Sequence, residues 1–312
     1  MSRSLKLGLA LASLWMLTGC GMFHQSYQAV AEKGSRALRW YKAPGEDLIK
    51  TVAVVRLDNR SGYPVPDFEA TYTALFIERL QAEDGGLRII SAEDPQAPEF
   101  LRRLPLGPDG HIDNFELALR SRQHGVNAVV AAALIDVRDR RQERGIWWFK
   151  DVYDYIDITL DVEVYDSETA AKLIDERLTQ AIEADIPLVL PSQPSAATLP
   201  VQVLEEFEKM IRRAGRLVAD AVVVRSWVGV IGEVSDDRVM LRAGADVGLE
   251  AGDVLEVFDN RRVIQGVEDV RFFVPGLKIG EIEVVETFPD RVTARLVSDT
   301  PVWAGCTVKR KP

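Results

Sequence analysis

The sequence predicts an α+β protein: an N-terminal mixed αβ sandwich with an antiparallel sheet, followed by a small all-β barrel. Three observations carry this expectation. The first half alternates short β-branched runs with stretches of helical period. Its middle then switches to strict period-2 alternation. Beyond residue 226 helical periodicity gives way to short strands punctuated by glycine turns. The 312 residues, 47% hydrophobic and 28% charged, are enough for two modest cores.

In chain order, Thr51 to Leu57 reads as a buried strand closed by the turn Asp58-Asn59-Arg60-Ser61-Gly62. Pro66 opens a helix whose Phe68, Tyr72, Leu75, Phe76, Arg79 and Leu80 recur at i, i+3, i+4 spacing, and Gly85-Gly86 ends it. Leu87 to Ile90 is a second strand, a proline-containing loop follows, and a helix from about Asp113 to His124 stops at Gly125. Ala128 to Val137 is a long apolar strand. From Tyr153 to Asp166, Ile156, Ile158, Leu160, Val162 and Val164 face one way while Asp157, Thr159, Asp161 and Glu163 face the other, the pattern of an antiparallel strand with one wet face. Asp166 to Thr169 turns into a returning strand, Leu173 to Ala184. A proline-rich stretch then leads to a helix from about Val201 to Val224. Six strands are expected in the last part, near residues 227–234, 238–242, 253–258, 278–285, 291–296 and 306–309, spaced as in a small barrel.

The N-terminus is of another kind. Arg3 and Lys6 precede an apolar run from Leu7 to Leu17, too short to cross a bilayer, which takes about 20 residues. The run ends in Leu17-Thr18-Gly19-Cys20, and these residues resemble the bacterial lipobox. The resemblance implies a lipoprotein: signal peptide 1–19, cleavage before Cys20, diacylglycerol on its thiol and acylation of the new amine. Several acyl chains hold a protein to a membrane firmly where one does not. Gly21, in place of aspartate at the second position, implies sorting to the inner leaflet of the outer membrane, facing the periplasm. The expected plan is a lipidated tether over 20–46, an α+β envelope domain over 47–225 and the barrel over 226–312. Cys306 is then a lone thiol, read as a small residue packed near the end of a strand.

Two further resemblances concern the folded parts. The run TVAVVRLDNRSG (51–62) and the later NAVVAAALIDV and ITLDVEVYDSETAAKL resemble a group of envelope modules. The group includes the N-terminal domain of the Tol-system propeller protein, the curli-secretion channel lipoproteins and the lipoprotein activators of penicillin-binding proteins. Residues 229–258, 278–297 and 304–311 resemble the C-terminal domain of flagellar assembly protein T, with Gly244, Gly248, Gly252, Asp253, Gly280 and Glu281 at its characteristic turns. The glycines are expected to serve positive φ in tight corners.

These likenesses imply an envelope scaffold or assembly factor, flagellar in one version. The alternative is an oligomeric secretion-channel component of the curli-secretion type. A channel needs a spanning hairpin of about 9–11 residues per strand with one apolar face. The candidate connection, 138–153, opens with the charge run Arg138 to Arg144, which argues against it. Beside that run stand Trp147, Trp148 and Phe149, read either as packing under the sheet edge or as a surface for a partner or a shallow membrane contact.

Composition narrows the partners. Acidic residues outnumber basic ones 48 to 38, net −10, and loss of the leader removes two more positive charges. Such a surface repels nucleic acid and gives no general attraction to anionic lipid. The expected partners are the membrane through the lipid anchor, envelope proteins and further copies of the chain. No cofactor, metal site or catalytic residue is expected. His24, His111 and His124 lack ligand partners at metal spacing, and the nucleophile-elbow, P-loop and dinucleotide-binding patterns are absent. Asp151, Asp154, Asp157 and Asp161 are read as a solvated strand face in preference to a calcium site.

Overall fold

A computed structural model describes residues 48–311, apart from 66, 84–85, 184–199, 268–269 and 298–300. Leu17, Thr18, Gly19, Cys20 and the tether 20–46 lie outside these residues. So does the proline-rich stretch up to Leu199. Residues 44–312 cluster as one compact unit containing both the sheet and the barrel.

The sheet grows from apolar β-branched runs. β1 (Lys50–Val54) is buried along its whole length, as a strand covered on both faces must be. β2 (Asp58–Asn59) is a two-residue strand. After it come α1 (Phe68–Glu83), β3 (Leu87–Ser91), the single turn α2 (Glu99–Arg102) and α3 (Asn114–Gln123). Asp113 caps α3 by accepting a hydrogen bond from the Glu116 amide at 3.0 Å. β4 (Ala128–Ile146), β5 (Phe149–Asp166) and β6 (Lys172–Glu183) then form a meander, and α4 (Val201–Val223) closes this part. The sheet order is β3-β1-β4-β5-β6. β1 is parallel to both β3 and β4, with Val52 opposite Ile89 and Ala128, whereas β4, β5 and β6 run antiparallel.

One face of the sheet carries the main core. Val52, Val54, Val130 and Leu134 join Ile156, Ile158, Leu160, Val162 and Val164 beneath α1 and α4. The two helices meet through rings, Phe68, Tyr72 and Phe207, with Tyr72 edge-on to Phe207 at 4.7 Å between centroids. On the other face Ala53, Val129 and Tyr165 lie against Phe100, Leu101 and Leu117 of α2 and α3. The five alternating aliphatics of β5 therefore sit as their spacing predicts. The opposite row is less wet than expected, because Asp157 and Thr159 are buried.

The barrel is closed in the order β12-β13-β8-β7-β14-β9. Its strands are β7 (Gly229–Ser235), β8 (Arg238–Leu241), β9 (Val254–Phe258), β12 (Lys278–Thr287), β13 (Val292–Leu296) and β14 (Thr307–Arg310). All six lie within a few residues of the positions expected from sequence. A two-stranded ribbon, β10 (Val263–Gln265) and β11 (Arg271–Phe273), was not expected. Ile231, Leu241, Leu255, Val257, Ile282 and Val292 fill the interior together with Cys306. Gly248 and Gly252 take positive φ, +90° and +94°. Gly244 does not: it is needed for close approach, since a Cβ there would lie 2.1 Å from the Phe288 carbonyl oxygen.

Sheet and barrel are bolted together. Asn127 accepts from the Thr51 amide at 2.9 Å and donates to the Val228 carbonyl at 2.7 Å. Phe115 of α3 stacks on Phe273 of β11 at 4.4 Å, and Lys309 pairs with Glu168 at 2.8 Å. Arg122 lies over the Phe273 ring at 3.6 Å and donates to the carbonyls of Ser167 and Glu168. Its burial pushes the guanidinium pKa down to about 10, so it stays charged at neutral pH. Leu48, which precedes the first strand of the sheet, is part of the barrel core.

Candidate interaction surface

The most distinctive surface is the end of the β4–β5 hairpin. The sequence places the end of the apolar strand at Val137, but in the structure β4 continues to Ile146 in unbroken register with β5, from Arg138 opposite Asp157 to Ile146 opposite Phe149. The charge run is a strand because β5 carries matching charges. Arg141 pairs with Asp154 at 2.8 Å, Lys150 with Glu143 at 3.1 Å, and Arg140 holds both oxygens of Asp157, at 2.7 and 3.2 Å. Asp157 and Asp154 raise the pKa values of Arg140 and Arg141 through these hydrogen bonds. Farther along, Arg177 of β6 takes both oxygens of Asp161. Three of the four aspartates considered for calcium are therefore each held by an arginine, and no metal-ligand cluster occurs among the described residues.

Glu183, opposite Tyr155, is the last described residue of β6. Among the described residues, β4 and β5 pair only with each other beyond that point, over residues 141–146 and 149–154, roughly 20 Å at 3.3 Å per residue. Side-chain alternation puts Arg141, Glu143, Lys150 and Asp154 on one face of this stalk. The other carries Arg140, Arg144, Tyr153 and Tyr155. There the Arg144 guanidinium lies 5.6 Å from the Tyr153 ring centroid and 5.0 Å from that of Tyr155, and Arg140 lies 4.9 Å from Tyr155. Both faces are charged. Sequence reasoning missed this arginine–tyrosine stack, although the antiparallel alternation of 138–146 against 149–157 would have exposed it.

The stalk ends in the two-residue turn Trp147-Trp148. Gly145 makes the close return possible, since a Cβ there would fall 1.8 Å from the Phe149 carbonyl oxygen. Trp147 takes φ +58°, a conformation usual for glycine or asparagine in tight turns and costing other residues about 1–2 kcal/mol. Trp147, Trp148 and Phe149 are 76%, 75% and 75% exposed, and they lie against one another, with centroids 5.0 and 6.1 Å apart. They are not tucked under a sheet edge. Val152, two pleats down, is also exposed.

Among the described residues, concave regions occur around the sheet–barrel junction. A cleft of about 690 Å³ has Arg88, Arg242, Arg291 and His124 on its walls. Arg88 is engaged there by Asp246. His124 has a lowered pKa through burial and the nearby Arg242 charge. A groove of about 430 Å³ lies between α3 and the barrel, with Phe273, Trp303 and Arg261 on its wall, and Arg261 stacks on Trp303 at 3.9 Å. His111 is exposed in a loop. No described helix is long and apolar enough to cross a membrane.

Comparison with protein-family models and with curated protein sequences returns no match. Among solved structures, the chain is similar to a hypothetical protein of Chlamydia trachomatis, with 15% identity over 56% of this chain and 98% of that one, TM-score 0.35. It is similar to the PelC dodecamer of Paraburkholderia phytofirmans, with 14% identity over 59% of this chain and 95% of that one, TM-score 0.28. A lipoprotein of Neisseria meningitidis is 11% identical over 53% of this chain and 98% of its own length, TM-score 0.30.

Proposed function

We propose that this protein is an outer-membrane lipoprotein, held through lipidated Cys20 with its bulk in the periplasm, and that it acts as a scaffold or assembly factor for an envelope complex. The observation that carries the reading is the hairpin. A stiff, charge-laced stalk displays three exposed aromatic side chains on a body whose sheet and barrel are locked together. A rigid body with a projecting arm is suited to holding a complex at a fixed place on the envelope, whatever the tip itself touches. The lipobox-like residues and the likeness of the C-terminal part to the flagellar assembly domain support an envelope site, with a basal-body ring as one candidate complex. The protein acts by binding, not as a catalyst.

The secretion-channel reading ranks second. The hairpin is long enough to be considered, but its projecting part has ions on both faces. Each Arg or Lys facing lipid at the midplane costs about 2–4 kcal/mol.

In-cell crosslinking and pull-down tests the proposal, with Cys20→Ala as the unanchored control. Recovery of ring or basal-body proteins with the lipidated protein, and their loss in the control, is the expected outcome. Recovery of the chain alone as a large SDS-resistant ring transfers the case to the channel. A folded protein that fractionates in soluble form with no envelope partner ends the scaffold reading.

A further inference from the structure

We infer that the hairpin tip is a second membrane contact: Trp147, Trp148 and Phe149 seat in the headgroup–acyl boundary of a bilayer while the stalk stays in water. The inference rests on the envelope-lipoprotein reading for the presence of a nearby membrane, and on the tip itself for the contact.

The side chains fit that layer. Tryptophan concentrates at membrane–water interfaces because its ring is mostly apolar and its N–H needs a polar partner. Two tryptophans and a phenylalanine in succession, all about three-quarters exposed, form a cap of this composition. One rung behind them stands Lys150, and two rungs behind stands Arg144, at the level where lipid phosphates would lie. Glu143 pairs with Lys150 and Asp151 lies opposite Arg144, so this level is close to charge balance in a chain that is net −10, and the aromatic rings carry the contact.

Size and shape favour lipid over a protein partner. Three aromatic side chains bury together about 450–750 Å², less than the roughly 800 Å² each partner gives to a standard protein interface. Among the described residues the cap stands at the turn of the hairpin with its three rings exposed, without the surrounding rim that shields protein hot spots from water. Depth is limited by chemistry, because ionised side chains begin one rung behind the aromatics on one face, at Lys150, and two rungs behind on the other, at Arg144 and Asp151. The tip therefore enters the interface and does not cross. Trp147 stands at φ +58°, where glycine would be unstrained, so the turn carries a bulky ring at a local cost.

Chain length permits both contacts on one bilayer. β4 runs about 60 Å from the barrel end of the sheet to the tip, at roughly 3.3 Å per residue. The segment 21–47 reaches at most about 95 Å when fully extended. An acyl anchor at Cys20 and the distant tip can thus share a membrane, which would fix the orientation of the body as one anchor alone does not.

The test uses the full-length protein reconstituted into vesicles of phosphatidylethanolamine and phosphatidylglycerol, with and without brominated acyl chains. Tryptophan emission is read for the wild type and for the Trp147→Phe/Trp148→Phe variant, which keeps an apolar cap but loses its fluorophores. Bromolipid quenching in the wild type that falls by at least half in the variant is the expected result, little changed by 0.5 M salt. Equal quenching in both proteins, or none in the wild type, overturns the inference, as does burial of the tip in a crosslinked protein neighbour. The mass of the N-terminal peptide reports acylation of Cys20 separately. A missing anchor and a tip left in water therefore give different results.

Discussion

Trp147 and Cys306 show how single residues record what the fold demands. At Trp147 a bulky side chain occupies a left-handed turn position. Trp147→Gly removes that cost but gives back part of it as chain entropy in the unfolded state. The expected net gain is about 1 kcal/mol, a rise of roughly 2–4 °C in Tm for a domain of this size, measurable by calorimetry, with bilayer contact reduced. Cys306 is fully buried in the barrel, and that burial raises its thiol pKa. A thiol held neutral and out of solvent reacts slowly. Native protein is expected to resist a disulfide reagent at pH 8 and to release one thiol per chain after unfolding. Two thiols would show that Cys20 is not lipidated. The sequence reads Cys306 as a small packed residue near a strand end, and in the structure Cys306 and Val308 belong to the barrel core. The positive φ of Trp147 left no such trace.

At the level of elements, legibility followed hydrophobic pattern. The β5 aliphatics, the α4 stripe and the six barrel strands could be placed because each has one buried face. The outer half of β4 could not: its run of arginines looks like a loop until it is set against Asp154 and Asp157 on the neighbouring strand. The β10–β11 ribbon escaped for a different reason. Val263, Ile264 and Gln265 are exposed, and the ribbon is held by Phe273 reaching across to Phe115. Removing Arg122 should loosen this corner. Arg122→Ala discards the stacking on Phe273 and leaves the Ser167 and Glu168 carbonyls without their donor. A loss of about 2–3 kcal/mol in urea unfolding is expected. Lysine is expected to restore only part, since it lacks the planar fork.

For the molecule as a whole, the junction between sheet and barrel governs behaviour. Gly125 has φ +67°, and a Cβ there would lie 2.3 Å from the Arg242 carbonyl oxygen of the barrel. Gly125→Ala therefore both strains the end of α3 and pushes the barrel away. A destabilisation of about 2–4 kcal/mol is expected, with the single unfolding transition splitting into two. Acid acts on the same region. The folded pKa of His124 lies below its unfolded value, so the unfolded chain takes up a proton that the folded chain refuses. Stability is therefore complete above the unfolded value, about 6.5, and declines as pH falls below it. His124→Gln should flatten this part of the pH–Tm curve. No periodicity announced the junction: Asn127, Glu168 and Phe273 meet only after the chain has folded back on itself.

The position of Leu48 gives the molecule a mechanical polarity. It is the first described residue, yet it is built into the barrel, and the Ile49 amide beside it is bonded to the Val247 carbonyl at 2.9 Å. A pull applied through the chain ahead of Leu48 is therefore resisted first by the barrel, and only afterwards by β1 in the middle of the sheet. Force arriving from the N-terminal side would draw the C-terminal module against the sheet's own starting strand, two parts far apart in sequence that share one load.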